Sequence, residues 1–167
     1  GFTIARSGPA RGYKGEIVKD VGYDVGVLVY VYPGNKLGDT SPAFKNANTT
    51  EIYGALTYSV VTLKYSHALT NLFGFADSKG SGYLDLSANF DLGDGWSVVP
   101  HVGRQWVRHS SAFSYTDYAV TLNKDFGNGL VASAAVIGTN ADKALYVTPS
   151  GRFTGRTALV LGVKYSF

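Results

Sequence analysis

The sequence predicts an all-β fold, an antiparallel up-and-down transmembrane β-barrel of about ten strands, on three observations. Apolar and polar residues alternate with period two along nearly the whole chain. Short and long connections alternate between those runs, and aromatic residues gather at both ends of the apolar face. Helix signals are weak throughout, and no run approaches the roughly 20 apolar residues of a membrane helix. Strands that meet a bilayer satisfy their backbone groups only in a closed barrel.

The runs fall at Arg11–Lys19, Gly22–Tyr32, Glu51–Ser59, Val61–His67, Gly82–Asp91, Trp96–Arg108, Tyr115–Asp125, Leu130–Thr139 and Thr157–Phe167. Most match the ~9–11 residues that a tilted strand needs to cross a bilayer. Residues 1–10 fit the pattern poorly; Phe2–Ser7 is expected as a short tenth strand or as the remnant of missing ones. Tight turns are expected at Asp20-Val21, Ser59-Val60, Leu92-Gly93-Asp94-Gly95 and Phe126-Gly127-Asn128-Gly129, the last two with hairpin-forming Asp-Gly and Asn-Gly pairs. Long segments lie between them, at 33–50, 68–81, 109–114 and 140–156. Short periplasmic turns and long outer loops alternate in this way in outer-membrane barrels.

Composition agrees. Charged residues are 16% of the 167, below the roughly 25% of a globular domain. There is no Cys, which excludes a disulfide scaffold and Cys-bound zinc, and no Met, so a processed N-terminus or a fragment is expected. A net charge of +3 carried by scattered basic residues is no nucleic-acid footprint.

Parity assigns the faces. The polar set is Lys14, Glu16, Asp24, Tyr30, Glu51, Tyr53, Lys64, Asp85, Asn89, His101, Gln105, Asp117, Asn123 and Lys164, expected to line a narrow lumen. The apolar face is expected to carry one aromatic belt at the turn end (Tyr23, Tyr58, Phe90, Trp96, Phe126, Tyr165 and Phe167) and another at the loop end (Tyr13, Tyr65, Trp106 and Tyr118). Amphipathic rings settle at both membrane interfaces. Two residues disagree: Arg104 falls on the outward parity and is expected to snorkel, and Pro100 faces outward in mid-strand and calls for a bulge.

The run Gly162-Val163-Lys164-Tyr165-Ser166-Phe167 resembles the terminal signal read by the barrel-assembly machinery, with Gly162, Tyr165 and Phe167 in its defining places. Further segments resemble TorF-type bacterial outer-membrane porins, formerly conserved proteins of unknown function. They include Tyr13-Lys14-Gly15-Glu16-Ile17, Gly22-Tyr23-Asp24-Val25-Gly26-Val27-Leu28, Tyr30-Val31-Tyr32-Pro33-Gly34, Thr50-Glu51-Ile52-Tyr53, His101-Val102-Gly103, Ser114-Tyr115-Thr116-Asp117-Tyr118 and Lys124-Asp125-Phe126. The resemblance implies a barrel and passive transport, with about twelve strands in an intact relative.

The function expected is a narrow polar passage in the bacterial outer membrane for ions or small solutes. The alternatives are a non-conducting accessory barrel, self-associating or bound to other envelope proteins, and a soluble ligand-binding barrel with its apolar face inward. No enzyme, cofactor or metal site is expected, because His67, His109, Asp39, Asp77 and Ser110 have no diagnostic spacing. The basic loop residues Lys36, Lys45, Lys143, Arg152 and Arg156 could meet lipopolysaccharide phosphates.

Overall fold

The computed structural model describes residues 6–7, 11–34, 36, 39, 42, 45–147 and 153–166. They form one antiparallel sheet of eleven strand segments. The segments are β1 (Arg6–Ser7), β2 (Arg11–Val18), β3 (Val21–Val31), β4 (Thr49–Tyr58), β5 (Val61–Ala68), β6 (Gly82–Ala88), β7 (Phe90–Gly93), β8 (Trp96–Trp106), β9 (Tyr115–Asp125), β10 (Leu130–Thr139) and β11 (Ala158–Tyr165). Each strand pairs with its successor, β1 lies end to end with β2 along β3, and β6 and β7 share the edge of β8. With β6 and β7 taken as one interrupted strand, the count is the ten expected. The short tenth, β1, extends the line of β2 rather than adding a new one.

Two local expectations need correction. The first turn sits at Lys19-Asp20, one residue earlier than expected: Asp20 takes φ 65° and its N–H donates to Glu16 Oε1 at 3.1 Å, so Val21 already belongs to β3. The run at Gly82–Asp91 is not continuous but breaks at Asn89. The register of β8 explains the break, because Pro100, which has no N–H, lies in the unpaired stretch between Ser87↔His101 and Phe90↔Val98, level with Ala88. Toward β9 the ladder runs through Pro100↔Val120 without a shift, so the missing donor costs the β6 side and no bulge forms.

The sheet curls with its polar face inside. Leu28 of β3 and Tyr115 of β9 line one cavity of about 370 Å³. On a flat sheet these two strands, five places apart along the strand order, would lie about 24 Å apart, whereas a sphere of that volume is only about 9 Å across. The apolar face is therefore the convex one. Leu86, Val120 and Leu161 are 45%, 53% and 73% exposed, while the side chains of Asp85 and Asp117 are 18% and 26% exposed. Among the described residues no pairing joins β11 to β2, and both edge strands are exposed along nearly their whole length. The one buried apolar cluster described lies under the loops, where Ala68, Leu72 and Val107 pack with Phe75 and Phe113.

Candidate functional site

The register places all fourteen expected lining residues on the concave side, but they do not form one site. Lys14, Glu16 and Lys164 sit on the exposed edge strands, and Asn89 is exposed at the strand break. Gln105 is buried and serves the backbone, donating to the Gly82 carbonyl at 2.9 Å and the Trp106 carbonyl at 3.2 Å. Asn123 donates to Ser97 Oγ at 3.4 Å. Tyr53 donates to Asp24 at 3.0 Å, and Lys64 Nζ stands 4.2 Å from the centre of the Tyr53 ring, with Glu51 buried nearby. Tyr30 packs edge-on to Phe73 at 5.3 Å.

Asp85, His101 and Asp117 do come together. Asp85 pairs with Gly103 and Gly103 with Asp117, so two carboxylates flank a position that has no side chain. His101, two residues along β8 on the same face, fills the gap. Its Nδ1 lies 2.6 Å from Asp85 Oδ2 and its Nε2 lies 2.7 Å from Asp117 Oδ1. Tyr83 also crosses over Gly103 and donates to Asp117 at 3.0 and 3.1 Å; a Cβ at Gly103 would collide with the Tyr83 hydroxyl. Ionised carboxylates only accept, so both contacts are satisfied when both ring nitrogens carry hydrogen. The bridge then holds two negative charges around one positive charge, in charge-assisted geometry.

The bridge stands between two cavities. On one side is the chamber of about 370 Å³, whose walls include Glu51, Lys64, Tyr83 and Asp85. On the other is a chamber of about 400 Å³ bounded by His101, Asp117, Ile137, Thr139, Tyr146 and Arg156. Tyr115 lines both. Toward the tight turns the same face carries small groups, Thr57, Thr62, Ser87, Ser97, Thr121 and Ser133.

Above the chambers the loops make an aromatic cap. Phe75 meets Phe113 at 4.6 Å, Phe113 meets Tyr146 at 5.9 Å, and Tyr146 meets Tyr115 at 5.5 Å. Burial, with a smaller contribution from Tyr115, pushes the Tyr146 hydroxyl up to about 12. Burial and then the Glu51 carboxylate raise that of Tyr32. Ser78, fully buried, holds the loop by accepting from Leu72 N–H at 2.8 Å and donating to the Phe75 carbonyl at 2.6 Å.

The aromatic residues expected in belts, Phe167 excepted because it lies outside the described residues, fall on the convex side. Three of the tyrosines lie against glycines on neighbouring strands, where a Cβ would come within 2.8 Å of the ring: Tyr23 on Gly15, Tyr65 on Gly82 and Tyr118 on Gly138. Arg104 donates to Thr116 Oγ1 at 3.0 Å. The polar loop residues considered for catalysis stay apart. His67 meets Tyr65 at 3.2 Å, and His109 meets the backbone carbonyl of Asp77 at 2.9 Å. Lys36, Lys45, Lys143 and Arg156 are exposed, and Arg152 lies outside the described residues.

Sequence reasoning missed Tyr83 and the aromatic cap. Tyr83 had a signal, since it shares the parity of Asp85; Phe73, Phe75, Phe113 and Tyr146 lie in segments without periodicity.

A family model described as "Bacterial protein of unknown function (Gcw_chp)" matches residues 10–167. No curated protein and no solved structure matches the chain.

Proposed function

The chain belongs to the Gcw_chp family of bacterial proteins of unknown function, and from that premise we propose that it is an outer-membrane, barrel-type protein with a narrow polar passage for ions or small solutes. The observation that carries this reading is the inversion of the sheet. Its convex face is aliphatic and exposed, edged with aromatic rings, while the carboxylates and the imidazole turn inward. In water such a face is a large aggregation-prone patch; in a bilayer it meets hydrocarbon. The tyrosines lying on glycines suit the interfaces, since a flat ring there covers bare backbone.

Closure is part of the proposal. The β1/β2 line through β11 gives nine lines in alternating direction, so the two free edges run the same way. An antiparallel closure takes an odd number of further strands, and three would give the twelve expected of an intact relative. In this reading Gly162, Tyr165 and Phe167 serve the barrel-assembly machinery, and the exposed loop lysines face lipopolysaccharide.

The free edges also favour the accessory reading, in which β2 or β11 pairs with strands of another envelope protein or a second copy and nothing is conducted. Refolding into detergent and lipid tests both. The passage reading expects a detergent-dependent protein with heat-modifiable gel migration and discrete conductance steps in planar bilayers. A monodisperse protein in water without detergent would overturn the membrane assignment. Folded, inserted protein without steps would leave the accessory role.

A further inference from the structure

The geometry points to the Asp85–His101–Asp117 bridge as the constriction of the interior and the element that sets its ion preference, with small cations favoured. This rests on the passage reading and names the solute class that the passage would take.

Position is the first argument. The bridge and Tyr83 form the shared wall of the two chambers, and three strands contribute to it, β6, β8 and β9. Beyond it, toward the tight turns, the concave side of β8 and β9 carries the small groups Ser97, Val99, Thr121 and Asn123, while the larger Glu16 and Lys164 sit out on the edge strands. A solute entering from the turn end meets small groups until it reaches the imidazole. One entering past the loops meets the bridge as the wall of either chamber.

Charge is the second. Two carboxylates surround one ring, so two acidic groups face at most one basic group at the narrowest place. Two other cations line the chambers, Arg156 exposed on the His101 side and Lys64 on the Asp85 side, and no ion pair joins either to the bridge among the described residues. Lys64, whose backbone lies beside Asp85, stands over the Tyr53 ring and toward Glu51 instead. Rings of carboxylates in a confined path favour cations over anions. The ring of His101, with the Tyr83 hydroxyl over Gly103 beside it, fills the space between the two carboxylates and is the part of that steric stop which bridges them.

The test uses the full chain in planar bilayers under a tenfold KCl gradient, with heat-modifiable migration as the check on folding. Wild type is expected to show a cation-preferring reversal potential. Asp85→Asn with Asp117→Asn should lower the cation-to-anion permeability ratio by about threefold or more. His101→Ala should raise single-channel conductance about twofold or more and increase the cation preference, because it removes the bridging ring and the one basic group between the two carboxylates. His101→Gln, which keeps the bulk, should shift preference with little change in conductance; it stands in should His101→Ala fail to fold, and Asp117→Asn alone stands in for the double variant. Open channels with an unchanged reversal potential in the carboxylate variants would overturn the constriction but not the passage. Folded protein without steps in wild type and in His101→Ala would overturn the passage itself.

Discussion

The loop-end and turn-end halves of the sheet are made from the same strands and held together differently. At the loop end, side chains fill the space: Thr49, Ser78 and Ser81 are almost fully buried, tyrosines cross the interior, and phenylalanines close over them. At the turn end, backbone conformation does the holding. Ser59, Asp94 and Asn128 take φ of 54°, 51° and 51° in connections of two to four residues, and the concave lining is mostly small, with threonine, serine, valine and asparagine. The aliphatic side chains of the band between the two ends help neither half internally, because Leu86, Val120 and Leu161 point outward. Among the described residues, the buried apolar cluster lies beneath the loops. In the proposed reading the strand band meets hydrocarbon and the loop end meets water.

The largest effect should come from testing that contrast directly. Leu86→Arg, in the convex band, should cost about 2–4 kcal/mol in urea unfolding of vesicle-embedded protein followed by tryptophan fluorescence. Leu145→Arg, in an exposed loop, should stay within about 0.5 kcal/mol. Equal, small costs would mean that the band faces water, and the contrast would be gone. Next comes Ser78→Ala. It removes the acceptor of the Leu72 N–H and one donor to the Phe75 carbonyl, at a cost of about 1–3 kcal/mol confined to the loop end. Hydrogen exchange should quicken at residues 72–81 and stay unchanged in β9 and β10.

Much of this was legible because the period of a strand is two and admits no partial answer. Once Leu84 and Leu86 are placed outward, Asp85 must face the other way, and every lining residue inherits its side from such a choice. Asp85 opposite Gly103 also follows from the tight Asp94-Gly95 turn, once the one-residue register shift between Asp91 and Gly93 is added to it. Asp117 opposite Gly103 does not, since a long connection joins β8 to β9 and leaves their register free. That is why three residues sixteen apart in sequence gave no sign of meeting at one ring. Pro100 was noticed, yet its consequence was misjudged: the chain loses pairing on one side rather than inserting a residue. The aromatic cap depends on contacts between loops, which no local periodicity encodes.

Alkaline titration separates the halves more finely. The Tyr146 hydroxyl, pushed up to about 12 and donating to the Phe113 carbonyl, is held neutral in the folded loop end. A raised folded value means that its contribution is complete below the ordinary tyrosine range near 10 and is lost as pH climbs toward 12. Exchange protection of the cap should therefore fall across that window, and Tyr146→Phe should flatten the fall. Protection of the turn-end strands, β10 beside Asn128 among them, should not follow it.

The smallest effect tests the turn end. Lys124 lies on the convex parity there, its Nζ 5.1 Å from the Trp96 ring centre and 6.0 Å from that of Phe126, and it donates to the Asp94 carbonyl. If backbone turns hold this end, the lysine adds only a cation–π contact, and Lys124→Ala should cost about 0.5–1 kcal/mol, partly restored by Lys124→Arg. A cost as large as that of Leu86→Arg would show that side chains anchor the turn end as they do the loop end. The two halves would then differ in the size of their residues and not in what holds them.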